Sequence, residues 1–471
     1  VALLLRNDIP SLVAMQAVNL LGAYSVPLNW HGSPDELVYV INDSTPRILV
    51  AHADLIAPLR PLLPPSLEII VVPTPQDIGD DFGVPTSHRR TLPDDRCWDA
   101  WLSGQDEWTG PPKPPRTTFI YTSGTTGHPK GVRREAATAE QATAMRTLFE
   151  AVYNVRPGAR AYVGGPLYHA SPNAFARQAT LIAELLVLST KFDPEQLLAL
   201  IEHHKLTTVI AVPTMLVKLL KLPDDIRNKY DVSSLEWVFH TGAPCPPDVK
   251  RAMIDWWGPA LVETYGGTEM GIVTRCMSDD WLTRPGTVGK AAPGATIRVL
   301  DADGNSLPAG TSGEIFARND AYPQFSYHGR ASTRDEVHHQ GLISLGDIGY
   351  LDADNYLFIN DRKRDMIISG GTNIYPAEIE NVLTVLDGVK DCAVFGIPDA
   401  EFGEQICAAI ELEPGATVTA AEVAEFVASR LAKFKVPRRI DFVTSLPREE
   451  SGKIFKRRLR EPLWAERAVK V

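Results

Sequence analysis

The sequence predicts an α/β protein. Its large N-terminal domain has layered, mostly parallel sheets plus a small β-barrel-like region, and a small α+β domain follows at the C-terminus. Three observations predict this. Short apolar, β-rich runs alternate with helical patterns through the first half of the chain, the texture of helices packed on a parallel sheet. After about residue 285 turn signals separate short β runs, as in an antiparallel barrel-like region. A cluster of charges at 361–365 then precedes a last stretch long enough for a small α+β domain.

In chain order, residues 1–5 read as a buried strand and residues 12–24 as a helix. Runs at 48–51, 69–72, 208–212 and 237–240 read as buried parallel strands, with helical stretches at 194–203 and 214–221 between the later ones. Residues 103–118 hold two Pro-Pro pairs and two glycines and read as a surface linker. Turn signals stand at 301–304, 308–310 and 352–355. Pro376 suits the first turn of a helix running to about residue 386.

The 471 residues suggest about three structural units at roughly 150 residues each. Hydrophobic residues are 44% and charged residues 22%, which excludes a disordered or collagen-like chain. No apolar run approaches the ~18–20 residues of a membrane span; the stretch 181–188 is short and carries Glu184. The net charge of −11 argues against nucleic acid as a partner. The five cysteines, Cys97, Cys245, Cys276, Cys392 and Cys407, are odd in number and show no Cys-x-x-Cys spacing. This argues against a disulfide framework or zinc cluster and for a reducing, cytoplasmic setting. The chain opens on Val1, inside a strand-like run and without a targeting pattern, so the expectation is a fragment or a start that lies upstream.

The strongest chemical signal is Tyr-Thr-Ser-Gly-Thr-Thr-Gly-His-Pro-Lys-Gly-Val at 121–132. It concentrates Ser123, Gly124, Thr125, Thr126, Gly127, Lys130 and Gly131 after a strand-like run. Glycines let backbone N–H groups approach phosphate oxygens, hydroxyls add donors, and Lys130 adds charge. It is not a Walker loop, in which Gly-Lys is followed by Ser or Thr. A generic Gly-rich string is more often a flexible turn; the density of phosphate-binding residue types sets this one apart.

The string resembles the phosphate loop of the adenylate-forming superfamily, which holds acyl-CoA synthetases, firefly-type luciferases and non-ribosomal adenylation domains. Further matches follow in the family's order. His240-Thr-Gly-Ala-Pro, with Gly242, Ala243 and Pro244, is similar to the adenine-binding loop. Glu263-Thr-Tyr-Gly-Gly-Thr-Glu, with Thr264, Tyr265, Gly266, Thr268 and Glu269, resembles the Tyr-Gly-x-Thr-Glu motif. Gly346-Asp347-Ile-Gly-Tyr resembles the ribose motif, Asp361-Arg362-Lys-Arg364-Asp the hinge, and Pro447-Arg-Glu-Glu-Ser-Gly-Lys453 the catalytic-lysine loop. The segment Ile-Ile-Ser-Gly-Gly-Thr-Asn-Ile-Tyr-Pro at 367–376 looks like the acyl- or aryl-CoA synthetase version, and the chain as a whole resembles fatty-acid, bile-acid or aryl-CoA ligases. The resemblance implies an AMP-binding domain over 1–364, truncated at its start, and a mobile lid domain over 365–471.

It also implies the chemistry: a carboxylate attacks the α-phosphate of ATP, and CoA then takes the acyl group. Two unit charges 4 Å apart repel by ~4 kcal/mol at an effective dielectric near 20, so cations must stand where the anions converge. On the family pattern Lys453 bridges carboxylate and α-phosphate, Thr268 donates to that phosphate, and Glu269 holds Mg²⁺. Ser123, Thr125, Thr126 and Lys130 hold the departing phosphates, and Asp347 and Arg362 serve the ribose. Taken singly, Asp347, Glu269 and Lys453 would read as an ordinary turn, helix-start and exposed residue; the ordered set reverses that. His169, in Pro-Leu-Tyr-His-Ala at 166–170, is either a packed core histidine or a group beside the acyl substrate. Gly370 and Gly371 would let a pantetheine arm pass, or form a plain hairpin turn. Arg364 is the hinge residue on this pattern, or part of a solvated charged loop.

The leading reading is an acid-CoA ligase acting on a hydrophobic carboxylic acid, with ATP, Mg²⁺ and CoA as cofactors. A stand-alone enzyme loading a carrier protein and a luciferase-like oxygenase are the alternatives. Peripheral membrane contact and a dimer stay open.

Overall fold

The computed structural model describes residues 1–122, 129–329, 338–369, 372–399, 401–448 and 454–468. A first sheet runs in the order Val26–Pro27, Ala2–Leu4, Ile48–His52, Glu68–Val72, Arg96–Cys97, all parallel. A second sheet has a parallel centre of Leu185–Leu188, Arg160–Val163, Thr208–Ala211, Trp237–His240 and Leu261–Glu263. The antiparallel strands Thr274–Met277, Thr287–Ala291, Leu357–Arg362, Asp347–Leu351 and Gly313–Asn319 continue it. The β region expected after residue 285 is therefore hydrogen-bonded onto the edge of the parallel sheet rather than set apart from it. A small sheet of Ile120–Thr122, Lys130–Arg134 and Phe325–Tyr327 carries both flanks of the expected phosphate loop.

The helices lie between and around these sheets. Ile9–Leu20 starts at Asp8, whose carboxylate accepts the Ile9 N–H, and has Pro in its first turn. It ends before Gly22, which takes φ +62° where a Cβ would lie 2.8 Å from that of Lys113. These caps place the helix a few residues earlier than the apolar periodicity alone indicates. The core between the two large sheets joins Leu3, Met15, Val50 and Ile70 to Leu148, Phe175, Ile210 and Phe239.

Beyond residue 366, Val389–Asp399 and Gly403–Leu412 pair antiparallel, Arg439–Val443 adds in parallel, and Ile367–Ser369 and Thr372–Ile374 complete the sheet. Helices Pro376–Leu383 and Ala420–Ala428 cover it through Ile379, Leu383, Val423 and Val427. The α/β and α+β classes read from the sequence are both present. Lys221 Nζ reaches from the large region to Glu413 Oε1 at 2.5 Å and to the Val389 carbonyl at 3.2 Å. The helix Lys456–Ala468 returns to the junction, where Lys456 pairs with Glu380 at 2.8 Å and Arg460 donates to the Arg364 carbonyl. Among the described residues no helix is long and apolar enough to cross a membrane.

Candidate active site

Parallel pairing aligns the ends of neighbouring strands: Ala211 lies beside His240, and His240 beside Glu263. The loops that follow therefore emerge together, in the crevice outside the carboxyl ends of the strands where α/β sheets bind ligands. A cavity of about 1050 Å³ opens there, lined by Gly164–Pro166, Val212–Thr214, Thr241–Ala243 and Thr264 with Gly266–Thr268. It runs on past Trp30, Phe82, Phe149, Tyr153 and Tyr322, a largely apolar wall with room at the upper end of the range for small-molecule sites. Gly242 takes φ +94°, and the nearest atom to a Cβ there would be Val212 Cγ1 at 3.8 Å. The expected adenine loop thus presents an open backbone cradle.

The Thr264–Glu269 run is braced from three sides. Thr241 Oγ1 donates to the Thr264 carbonyl at 2.9 Å. Tyr265 donates its phenol to Asp347 at 2.6 Å, and burial pushes that phenol well above its usual pKa, so it stays a donor. Arg134 donates to the carbonyls of Thr268, Glu269 and Pro323. Burial lowers its pKa to about 10, which leaves it cationic at neutral pH, beneath the Tyr322 ring. Glu269 Oε1 accepts from Tyr327 at 3.1 Å, and Lys130 Nζ stands 5.4 Å from that same ring. Two motifs far apart in sequence thus meet at Tyr327.

Burial raises the pKa of Glu269, opposed by its hydrogen bonds and by Arg134 and Lys130. This buried carboxylate fits a Mg²⁺ ion that also takes phosphate oxygens. Among the described residues no group of three or more acidic, His or Cys side chains offers an all-protein metal cage. Asp347 is buried, and Arg362 Nε lies 3.5 Å from it; its remaining acceptor capacity fits the hydroxyls of a ribose.

His169 caps the helix Ala170–Ile182 and lines the cavity, its Nε2 buried without a partner among the described residues. Burial lowers its pKa to about 4, so it is neutral near pH 7. His31, stacked on Trp30, lines the same wall, and its pKa is also lowered to about 4, by burial, Arg6 and His169 in that order.

Other expected residues stand elsewhere. The Glu263 carboxylate does not face the cavity; it pairs with Lys250 Nζ at 2.6 Å, both groups buried. Pro244 is off the cavity wall. Glu269 opens instead on a smaller hollow of about 280 Å³ that shares Arg134 with the large one. Gly266 touches the cavity, but a Cβ there would sit 2.1 Å from the Gly271 carbonyl oxygen, so hairpin packing demands the glycine. Ser123, Gly124, Thr125, Thr126, Gly127, Gly370, Gly371 and Lys453 lie outside the described residues. Arg134, Tyr327 and Tyr322 escaped the sequence reading. Only Arg134 carried a signal there, since its even spacing from Lys130 along one strand puts both on one face.

The AMP-binding enzyme family matches residues 1–322, and the AMP-binding enzyme C-terminal domain matches 378–453. A fatty acid–[acyl-carrier-protein] ligase of Streptomyces coeruleorubidus is 32% identical over 465 residues, covering 96% of this chain and 84% of the relative. The 3-[(3aS,4S,7aS)-7a-methyl-1,5-dioxo-octahydro-1H-inden-4-yl]propanoyl:CoA ligase of Rhodococcus jostii is 33% identical, covering 95% of this chain and 86% of that one. Among solved structures, ATP-bound MatB from Rhodopseudomonas palustris superposes with a TM-score of 0.81 at 28% identity, over 98% of this chain and 88% of that one. With family matches across both its large region and its C-terminal sheet, the chain belongs to the AMP-binding enzymes.

Proposed function

We propose that the protein is an ATP-dependent acid-CoA ligase for a hydrophobic carboxylic acid of fatty, steroid- or bile-type or aryl character. Carboxylate and ATP give acyl-AMP and pyrophosphate; acyl-AMP and CoA then give the thioester and AMP. The observation that carries this is the cavity of about 1050 Å³ that runs from the adenine-loop glycine into an aromatic wall, since one space then holds adenylate and acyl group together. Its cofactors are ATP, Mg²⁺ and CoA.

In this reading Thr268 and the 123–130 loop hold phosphate oxygens, and Asp347 with Arg362 holds the ribose. Glu269 would hold Mg²⁺, which would supply charge neutralisation at the phosphates. Lys453 brings a cation to the point where carboxylate and α-phosphate meet. Neutral His169 borders the acyl group. A unit boundary at 364/365 lets the C-terminal part present Lys453 in one pose and the CoA path along Gly370 and Gly371 in another. Five free cysteines suit a reducing cytoplasm.

The test is a panel of carboxylic acids incubated with protein, ATP, Mg²⁺ and CoA. AMP release with thioester formation supports the reading; ADP release overturns it. The carrier-protein ligase among the relatives favours a second reading, loading of a carrier protein. Replacing CoA by a phosphopantetheinylated carrier separates the two.

A further inference from the structure

The cavity wall carries a cation that the reaction scheme does not use. Arg177 lies on the helix Ala170–Ile182, eight residues beyond His169, so it stands about 12 Å further along the wall at 1.5 Å per residue. Its Nη1 donates to Thr118 Oγ1 at 3.0 Å, and Thr118 in turn donates to Asn173 Oδ1 at 2.8 Å. Among the described residues its Nε is buried with no hydrogen-bond partner, and none of them sets an opposite charge against the burial that lowers its pKa.

What sets Arg177 apart is its charge rather than its Nε, since Arg6 Nε is likewise buried without a partner among the described residues. Arg6 sets its guanidinium against the Asp54 carboxylate with two nitrogens, and Arg134 reaches three carbonyls, whereas Arg177 has a single hydroxyl. A guanidinium has five donors, and one left unmatched inside a protein is costly. The same corner holds further unsatisfied groups on the cavity wall, Asn19 Oδ1 and Thr117 Oγ1. Gln16, one turn before Asn19, donates to the Arg177 carbonyl and ties the two helices together there.

We propose that Arg177 is a specificity-determining residue: the acyl substrate carries an oxygen acceptor, keto or carboxylate, at the end remote from its reacting carboxylate, and Arg177 receives it. The inference rests on the acid-ligase reading above. It narrows the substrate from any apolar acid to one that is apolar in the middle and oxygenated at both ends. A site built to hydrogen-bond a substrate group strongly rejects the analogue lacking it, because its own buried polar groups are then left unpaired.

The experiment compares straight-chain acids of roughly eight to twelve carbons, a range set by the helix rise, each as the methyl-terminated, ω-1 keto and ω-carboxy form. AMP release gives kcat/KM for each. Wild type is expected to favour one oxygenated form over its methyl counterpart by ~10–100-fold, the worth of a hydrogen bond to a charged group; which form wins distinguishes ketone from carboxylate. Arg177→Met should bring the ratio close to one, and Arg177→Lys should keep part of it. A wild-type preference for the methyl-terminated acids, or an equal fall for all three forms in Arg177→Met with an unchanged ratio, overturns the proposal and leaves the ligase reading standing. If Arg177→Met does not fold, the wild-type ratio and that of Arg177→Lys decide. AMP release with none of the acids, when a wider carboxylate panel also gives none, sinks the ligase reading and this inference with it.

Discussion

Removing Lys250 tests how the proposed nucleotide loops are held. Its Nζ lies 2.6 Å from Glu263 Oε2, with the two side chains 0% and 8% exposed. Lys250 rises from the helix Pro247–Trp257, just after the proposed adenine loop, and Glu263 ends the strand before the Thr264–Glu269 run. The pair therefore clamps the loops on either side of it. Lys250→Met leaves a buried carboxylate without its counter-charge, at a cost of about 3–5 kcal/mol. The same argument gives Glu263→Leu a similar loss, while the double variant Lys250→Met/Glu263→Leu should recover most of it, since a buried pair replaced by apolar groups of similar volume is often neutral. The assay is urea unfolding at pH 7 for the four proteins, read as a double-mutant cycle, together with the KM for ATP in pyrophosphate exchange. At ~2 °C per kcal/mol for large domains, the single variants should also melt about 6–10 °C lower. A coupling energy below about 1 kcal/mol refutes the clamp. So does a Glu263→Gln variant of wild-type stability whose KM for ATP rises sharply, which would restore Glu263 as a nucleotide ligand.

Lys453→Ala should lower pyrophosphate exchange at least ~100-fold, as loss of a transition-state charge does, yet keep thioester formation from supplied acyl-AMP; exchange near wild type would remove Lys453 from adenylation. Arg364→Pro should impair thioester formation far more than adenylation, and equal loss in both half-reactions would exclude it as a selective hinge. Tyr327→Phe removes a hydrogen bond to the Glu269 carboxylate worth about 1.5–3 kcal/mol and should weaken adenylation and raise the half-saturating Mg²⁺ concentration by ~10-fold; an unchanged Mg²⁺ titration would contradict the assigned role. His169 has a folded pKa of about 4 against 6.5 for the free group. In that window the unfolded chain binds the proton and the folded chain does not, so stability is full above about pH 6.5 and falls as pH drops toward 4. His169→Gln should make that part of the pH–stability curve shallower, with His31 still contributing, and identical curves for the two proteins would show His169 to be protonated normally.

The fold was legible where one signal dominated. Apolar runs such as 48–52 and 208–211 are buried on both faces, and such runs read plainly as parallel strands. Turns near 301 and 352 were legible because Asp301 and Asp352 accept backbone N–H groups two and four residues on. Boundaries were less so: the helix Ile9–Leu20 is set by Asp8 and Gly22, whose caps outweigh apolar periodicity. Within the site, motif order marked the strand ends that converge on the cavity. The partner of each polar group was not legible, since Glu263 looks like a ligand in the linear motif and turns out to face Lys250.

By itself the sequence determined the α/β class and, through the order of motifs that carries the family resemblance, membership of the AMP-binding enzymes, because backbone periodicity and motif order can be read along the chain. Only the tertiary structure decided which side chains meet. Tyr327 joins Lys130 to Glu269 across a small sheet. Arg134 spends its donors on the carbonyls beneath the site, and Arg177 keeps a buried donor unspent on the cavity wall. Those pairings join residues up to about 200 positions apart. Such contacts follow from sheet registry and helix packing, which a linear reading does not contain.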